Sequence, residues 1–257
     1  MSDGKNAEVD LVIELNKNKN DPKWTTLGVN STSDHFAIRI NRQVLSRTSN
    51  EKVNPKADMY VAYGDLSRSI IEKKNFLLTD DDVEEFNLTR KPCTGVSIKR
   101  PDSKSYTIHK WTPNSFEKTF GSYNLGAGIS IFRTKDEELN NNHKVLKGWK
   151  TSWKSFENYF SRINNIELLK DSNVPSEQRK IIAKEITELA KNMLYKRIET
   201  EKSIKDHIFF GSLDFDEPYN ATWFYLNQEL TQEISPFQIT TGSGRTKGNY
   251  TVVIKPK

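Results

Sequence analysis

Short strand-like runs alternate along this chain with segments of helical periodicity, and this alternation restricts the fold more than any other feature of the sequence. Residues 36–40 (FAIRI), 59–63 (MYVAY), 95–99 (GVSIK) and 250–254 (YTVVI) have the apolar, β-branched and aromatic composition of strands. Strands interleaved with helices predict an α/β fold. We therefore expect a single domain over residues 1–257, with a central mixed β-sheet flanked by helices.

Three segments carry apolar residues at helical spacing: 8–15, 153–163 and 182–193. In the last two, these residues recur every three or four positions, which is typical of a helix with one buried face. A further helical pattern begins at residue 108 and is interrupted by Pro113. Beyond Ile204 we expect short strands and loops. The acidic run at residues 80–85 predicts a surface loop.

The composition is that of a polar but folded protein. Hydrophobic residues make up 35% of the chain, and five Trp, nine Tyr and thirteen Phe suffice for a packed core. No apolar run approaches the length of a transmembrane helix, and the N-terminal MSDGKNAEVD lacks the apolar segment of a signal peptide. The single cysteine, Cys93, excludes an intrachain disulfide and a cysteine-rich zinc site. We expect a soluble, cytoplasmic protein with no membrane partner.

Positive charge is concentrated in two segments of a chain whose formal net charge is only +5. Residues 89–110 contain six Lys or Arg and a single acid, and residues 235–257 contain four Lys or Arg and no acid. Segregation of this kind predicts a polyanionic partner such as nucleic acid. The alternative is a solvated basic face without a partner.

Residue spacing excludes several kinds of site. The four histidines lack metal-ligand spacing, and no HExxH or CxxC motif occurs. The Gly-rich segments 121–128 and 242–248 do not match a phosphate-binding loop, so we exclude nucleotide binding.

One pair of segments has the residue types of a catalytic site. Asp58 ends the sequence Pro-Lys-Ala-Asp and leads into a predicted strand, and a later predicted strand ends in Lys99. Adjacent strands would bring this carboxylate and this ammonium together. Asp58 could then hold Mg²⁺, which prefers oxygen ligands, with the main-chain carbonyl of Ile98 as a second ligand. Lys99 could orient or deprotonate the attacking water. The alternative is an unrelated Asp and Lys at the ends of two strands.

The order Pro-Lys-Ala-Asp, strand, x-x-Lys resembles the PD-(D/E)XK nuclease superfamily. The segment 97–111 (SIKRPDSKSYTIHKW) is similar to the strand, turn and helix of small type II restriction endonucleases of the MspI kind. The basic, Gly-rich segment 241–255 (TGSGRTKGNYTVVIK) resembles their closing strand. This resemblance implies a restriction-endonuclease-like fold and a Mg²⁺-dependent enzyme that hydrolyses phosphodiester bonds in double-stranded DNA at a short specific sequence.

The resemblance also implies roles for individual residues. Asp58 matches the metal-binding aspartate, and Lys99 matches the catalytic lysine. Ser97 occupies the position where the superfamily usually has Glu, and serine is a poor metal ligand. A further catalytic carboxylate would then come from elsewhere, with Glu8 and Glu117 as candidates.

Alternatives remain for the site and for the function. If Asp65 were the true aspartate, the site assignment would change while the fold would not. The protein could also be a nuclease of the same fold without a fixed site, such as a repair or toxin enzyme, or a DNA-binding module without activity. A symmetric DNA site favours a homodimer. We expect DNA contacts just past the lysine strand and in the C-terminal region 235–257, from Lys104, Ser105, His109, Arg245, Lys247 and Asn249.

Overall fold

The computed structural model describes residues 3–30, 34–99, 106–132, 143–234, 236–243 and 250–257. The chain divides into two compact units: Met1–Tyr106 with Asp206–Ile234, and Thr107–Lys205 with Ser235–Lys257. The predicted α/β class is confirmed, because a central mixed sheet is flanked by helices. That the whole chain acts as one nuclease domain stays a prediction.

The described helices have the following bounds: α1 (Asp3–Lys17), α2 (Pro22–Thr26), α3 (Arg68–Lys73), α4 (Asp80–Glu85), α5 (Pro113–Phe120), α6 (Tyr123–Ile131), α7 (Lys144–Gly148), α8 (Trp153–Tyr159), α9 (Ser176–Thr200) and α10 (Lys202–Phe210), with a 3₁₀ helix at Ile166–Lys170. None of them combines the length and the apolar character that crossing a bilayer requires.

The described strands have the following bounds: β1 (His35–Arg39), β2 (Val44–Leu45), β3 (Lys52–Val53), β4 (Met59–Tyr63), β5 (Leu78–Thr79), β6 (Thr89–Arg90), β7 (Val96–Ile98), β8 (His109–Trp111), β9 (Trp223–Leu226), β10 (Glu229–Thr231), β11 (Phe237–Ser243) and β12 (Tyr250–Pro256). The strands expected at residues 36–40, 59–63, 95–99 and 250–254 correspond to β1, β4, β7 and β12.

The first unit is built on a mixed sheet with the strand order β10-β9-β7-β4-β1-β5, and β6 pairs with the far end of β4. β1, β4 and β7 form an antiparallel centre. β9 lies parallel to β7, and β5 lies parallel to β1. Three of the strands predicted from sequence are therefore neighbours in the middle of this sheet.

Alternating side chains of β4 pack into two separate apolar cores. Met59 and Val61 face the core that contains Leu11 of α1, whereas Tyr60 and Ala62 face the opposite core. The predicted N-terminal helix is thus confirmed as α1, which covers one face of the sheet. Since burial of one large apolar side chain is worth about 1.5–3 kcal/mol, these two cores fix β4 between its neighbours.

The second unit contains a small antiparallel sheet, β11-β12-β8, together with helices α5 to α9. Its helices pack closely where small residues allow it. A Cβ atom on Gly126 of α6 would lie 2.1 Å from the ring of Trp149. The indole of Trp149 donates a hydrogen bond of 2.9 Å to Ser130 Oγ on the same helix, which fixes the ring at this close contact.

The expectation of a surface loop at the acidic run was wrong, because these residues form α4. Asp82 caps the helix: its Oδ2 accepts a hydrogen bond of 2.7 Å from the main-chain N–H of Thr79. Asp80 is fully buried and accepts a hydrogen bond of 2.8 Å from the Tyr60 hydroxyl. Two of the acids therefore serve structural roles.

Helix boundaries also differ from the sequence prediction. The pattern that begins at residue 108 is not a helix: β8 occupies this position, and Pro113 starts α5 because a helix tolerates proline in its first turn. The helix predicted over residues 153–163 ends at Tyr159. The helix predicted at residues 182–193 is the longer α9, and Met193 lies off its buried face. Beyond Ile204, where short strands and loops were expected, α10 continues to Phe210.

Candidate active site

Asp58 and Lys99 lie at adjacent ends of two neighbouring strands in the first unit. Asp58 immediately precedes β4, and Lys99 immediately follows β7. β4 and β7 run antiparallel, with Met59 paired to Val96, so the rest of β7 continues past the start of β4 and lies alongside the segment that carries Asp58. The sequence-based expectation that adjacent strands bring these residues together agrees with the structure.

The backbone of the β4 segment is irregular at Asp58. Its N–H donates to Val96 on β7 at 2.8 Å, whereas its carbonyl accepts from Ile40, on the opposite side, at 2.9 Å. In a regular strand both groups of one residue point to the same neighbour. Ala57 and Tyr60, three residues apart, also face the same core. This irregularity redirects the Asp58 side chain, as occurs where bulges border functional sites.

A single carboxylate oxygen and a single hydroxyl connect Asp58 to Lys99. Asp58 Oδ2 accepts a hydrogen bond of 2.6 Å from the main-chain N–H of Ile98. The Ser97 hydroxyl lies 3.5 Å from the same oxygen, and Lys99 Nζ donates to Ser97 Oγ at 2.8 Å. Ser97 therefore stands between the carboxylate and the ammonium, and it holds the lysine head group near Asp58.

Glu8 joins this group from helix α1. Its Oε2 lies 3.1 Å from Nη2 of Arg39, the last residue of β1. Glu8, Arg39 and Asp58 all line one cleft of about 200 Å³. The structure thus brings a second carboxylate to the cleft from one of the two positions that the sequence suggested.

Burial is the main cause of an unusual pKa at Asp58. It raises the pKa of this carboxyl from 3.8 to about 6, and the negative charge of Glu8 acts in the same direction. The positive charge of Lys99 and the hydrogen bond from Ile98 oppose the rise without cancelling it. A further positive charge in the cleft would therefore stabilise the ionised form of Asp58.

Two lysines in the site have lowered pKa values. Burial lowers the pKa of Lys99, while the charges of Asp58 and Glu8 counteract it. Burial lowers the pKa of Lys56 to about 7, and the charge of Lys99 lowers it further. Lys56 Nζ donates to the main-chain carbonyl of Ile208 at 2.9 Å. Clustered groups with perturbed pKa values are typical of functional sites.

The donor set suits a divalent cation that prefers oxygen. Asp58 and Glu8 provide carboxylates at one cleft, which is the ligand chemistry of Mg²⁺. The main-chain N–H of Ile98 points to Asp58. That the carbonyl of Ile98 is a second ligand stays a prediction.

The other two acids considered from sequence lie elsewhere. Asp65 is exposed and follows the far end of β4, away from the end that carries Asp58. Glu117 belongs to α5 in the second unit, where it lines a different cleft. Of the candidate acids, Asp58 and Glu8 are therefore the two that share the cleft beside Lys99.

The structure describes only one of the residues that the sequence predicts to contact DNA. His109 lies half-buried on β8 of the second unit, with its ring centroid 4.3 Å from that of Trp111. Its role in DNA contact stays a prediction. The other residues lie outside the described residues: Lys104, Ser105, Arg245, Lys247 and Asn249.

Sequence reasoning assigned no role to Arg39, which lines the cleft, or to Lys56, whose charge acts on Asp58. Lys56 could have been noticed, because it stands two residues before Asp58 within the quoted motif. Arg39 had a weaker signal: it is a charged residue inside the apolar run 36–40. Comparison with known proteins adds no family, since no protein-family model and no curated protein matches the chain.

Proposed function

We propose that this chain is a Mg²⁺-dependent endonuclease of the type II restriction kind, which hydrolyses phosphodiester bonds in double-stranded DNA at a short specific sequence. The observation that supports it most directly is the convergence of Asp58 and Lys99 on the Ser97 hydroxyl. Glu8 supplies the second carboxylate that Ser97 cannot provide. The resemblance to the PD-(D/E)XK superfamily predicts the same pairing of acid and lysine.

Asp58 and Glu8 would hold the cation, together with the carbonyl of Ile98. Magnesium, when bound, polarises the phosphate and lowers the pKa of a water molecule. Because Asp58 and Glu8 line the same cleft of about 200 Å³, one cation there could contact both carboxylates.

Lys99 would act on the attacking water and on the phosphate. Its ammonium has three donors, and one of them bonds to Ser97. The other two can orient the water and stabilise the charge that develops on the phosphate oxygens. Burial lowers the pKa of this ammonium, so it gives up a proton more readily than an exposed lysine does. The water oxygen would then bond to phosphorus and lose a proton, while the bond from phosphorus to the 3′ oxygen breaks and that oxygen gains a proton, which leaves a 5′-phosphate and a 3′-hydroxyl.

The test is cleavage of plasmid DNA of known sequence with Mg²⁺ or with EDTA. We compare the unmodified protein with Asp58→Asn and Lys99→Met, which remove the acid and the ammonium. Asp65→Asn is the matched control, since it removes an exposed carboxylate at the other end of β4. We expect discrete fragments from the unmodified protein and the control, and none from the two site variants.

Each of the other possible outcomes of this cleavage experiment would favour a different interpretation. Equal cutting by the unmodified protein and both site variants would refute the site. A smear without fixed ends would indicate a nuclease of the same kind that lacks a fixed recognition sequence. Salt-dependent DNA binding without cleavage in Mg²⁺ or Mn²⁺ would indicate a DNA-binding module. Because a symmetric sequence is cut by two related subunits, we also expect a homodimer on DNA.

A further inference from the structure

Arg39 makes a direct ion pair inside the cleft of the candidate site. Arg39 ends β1 and Glu8 lies on α1, so the pair joins the helix to the sheet beside Asp58. The Nη2 to Oε2 distance is 3.1 Å, and the two side chains are only 19% and 24% exposed. An ion pair this enclosed holds its members in place better than an exposed one.

The pair leaves part of the Glu8 carboxylate available. Arg39 contacts Oε2, and within the described part of the chain Oε1 of Glu8 accepts no hydrogen bond. A carboxylate has about four lone-pair positions, so it can accept from a guanidinium and bind a cation at the same time. The contact therefore orients Glu8 without occupying all of its oxygens.

A free glutamate side chain would have to be ordered before it could bind a cation. Ordering a side chain of this length costs rotamer entropy. Residues that hydrogen-bond to metal ligands supply this order, and their loss typically weakens metal binding 10–100-fold. Arg39 contacts Glu8 in the way that such a residue contacts its ligand.

We propose that Arg39 is a positioning residue that holds Glu8 as an oxygen ligand for a divalent cation. This inference rests on the cation site of the proposed nuclease. The two possible roles of Arg39 predict opposite effects of its removal on the affinity for the cation. As a nearby positive charge, Arg39 would repel the cation, and its removal would strengthen binding. As a positioning residue, its removal weakens binding.

The test is a titration of the purified protein with Mn²⁺ alone, in which electron paramagnetic resonance measures the concentration of free Mn²⁺ at each step. It needs neither DNA nor activity. We compare the unmodified protein with Arg39→Met, Glu8→Gln and the double variant. Arg68→Met is the matched control, because Arg68 forms an exposed pair with Glu72 on α3. Arg39→Lys keeps the charge and serves where Arg39→Met does not fold, as judged by circular dichroism.

We expect Arg39→Met to raise the Mn²⁺ dissociation constant about tenfold or more. Arg39→Lys should raise it in the same direction, and the Arg68 control should leave it unchanged. In the Glu8→Gln background, loss of Arg39 should have no further effect, because the residue acts through Glu8. Unchanged or tighter binding in Arg39→Met, or an equal loss in the Glu8→Gln background, overturns the inference. If Asp58→Asn binds Mn²⁺ with the same affinity as the unmodified protein, both the inference about Arg39 and the proposed function fail.

Discussion

Replacing Asp58 with Asn should make the protein more stable while it abolishes the proposed activity. The pKa of the carboxyl rises from 3.8 to about 6 in the folded state. One pKa unit corresponds to about 1.4 kcal/mol, so ionised Asp58 destabilises the folded state by about 3 kcal/mol at neutral pH. Asparagine has a similar shape, carries no charge, and can still accept the hydrogen bond from Ile98.

The sign of the pH dependence follows from the direction of the shift. Because the pKa in the folded state is raised, the folded chain binds this proton more tightly than the unfolded chain does. The stabilisation by protonated Asp58 is complete below about pH 4 and is lost as the pH rises through about 6. The gain from Asp58→Asn should therefore be close to zero at pH 4 and approach about 3 kcal/mol at pH 7.5.

Urea unfolding in EDTA, at both pH values, measures this difference. Asp65→Asn is the control, since it is exposed at the other end of β4 and should change stability little. Replacing the EDTA with Ca²⁺ should stabilise the unmodified protein by mass action and should not stabilise Asp58→Asn. The reasoning is refuted if Asp58→Asn is less stable than the unmodified protein at pH 7.5, or if the difference is the same at pH 4.

Three further substitutions test other parts of the first unit. Ser97→Ala removes the hydroxyl that holds the lysine ammonium at 2.8 Å. We expect plasmid cleavage to slow about tenfold, since one such hydrogen bond is worth about 1.5 kcal/mol. Lys56 has a pKa lowered to about 7, so its contribution to stability is present above its ordinary pKa and lost as the pH falls through about 7. Lys56→Met should accordingly show a smaller loss of stability than the unmodified protein between pH 10 and pH 6, measured by thermal unfolding. A Cβ atom on Gly95 would lie 2.0 Å from the main-chain oxygen of Asn220, so Gly95→Ala should lower the free energy of unfolding by about 1–3 kcal/mol, measured in urea.

The central strands and the pairing of Asp58 with Lys99 could be predicted because both depend on local patterns. Apolar and aromatic composition marks β1 and β4, and a strand that ends in lysine needs only a neighbouring strand to meet the acid. The pairing of Met59 with Val96 then places the end of β7 alongside the segment that carries Asp58. The same reasoning could not detect the irregular backbone at Asp58, because that irregularity depends on contacts with two different strands.

The errors arose where a residue had more than one physical role. The acidic run was expected to be solvated, yet Thr79 and Asp82 form a helix cap whose spacing was visible in the sequence. Pro113 was interpreted as an interruption, although proline is also compatible with the first turn of a helix. Glu8 could only be proposed as one of two acids, because nothing local shows which of them reaches the cleft.

The charges of the site indicate that cation binding and phosphate binding should reinforce each other. Each carboxylate already has a cationic neighbour: Arg39 contacts Glu8, and Lys99 acts on Asp58 through its charge. A divalent cation alone therefore gains less here than between two isolated carboxylates, since it also meets these positive charges. A phosphate brings negative charge to the same cleft and offsets that repulsion. By linkage, the cation must strengthen phosphate binding by the same factor, so the arrangement favours cation and phosphate together over either one alone.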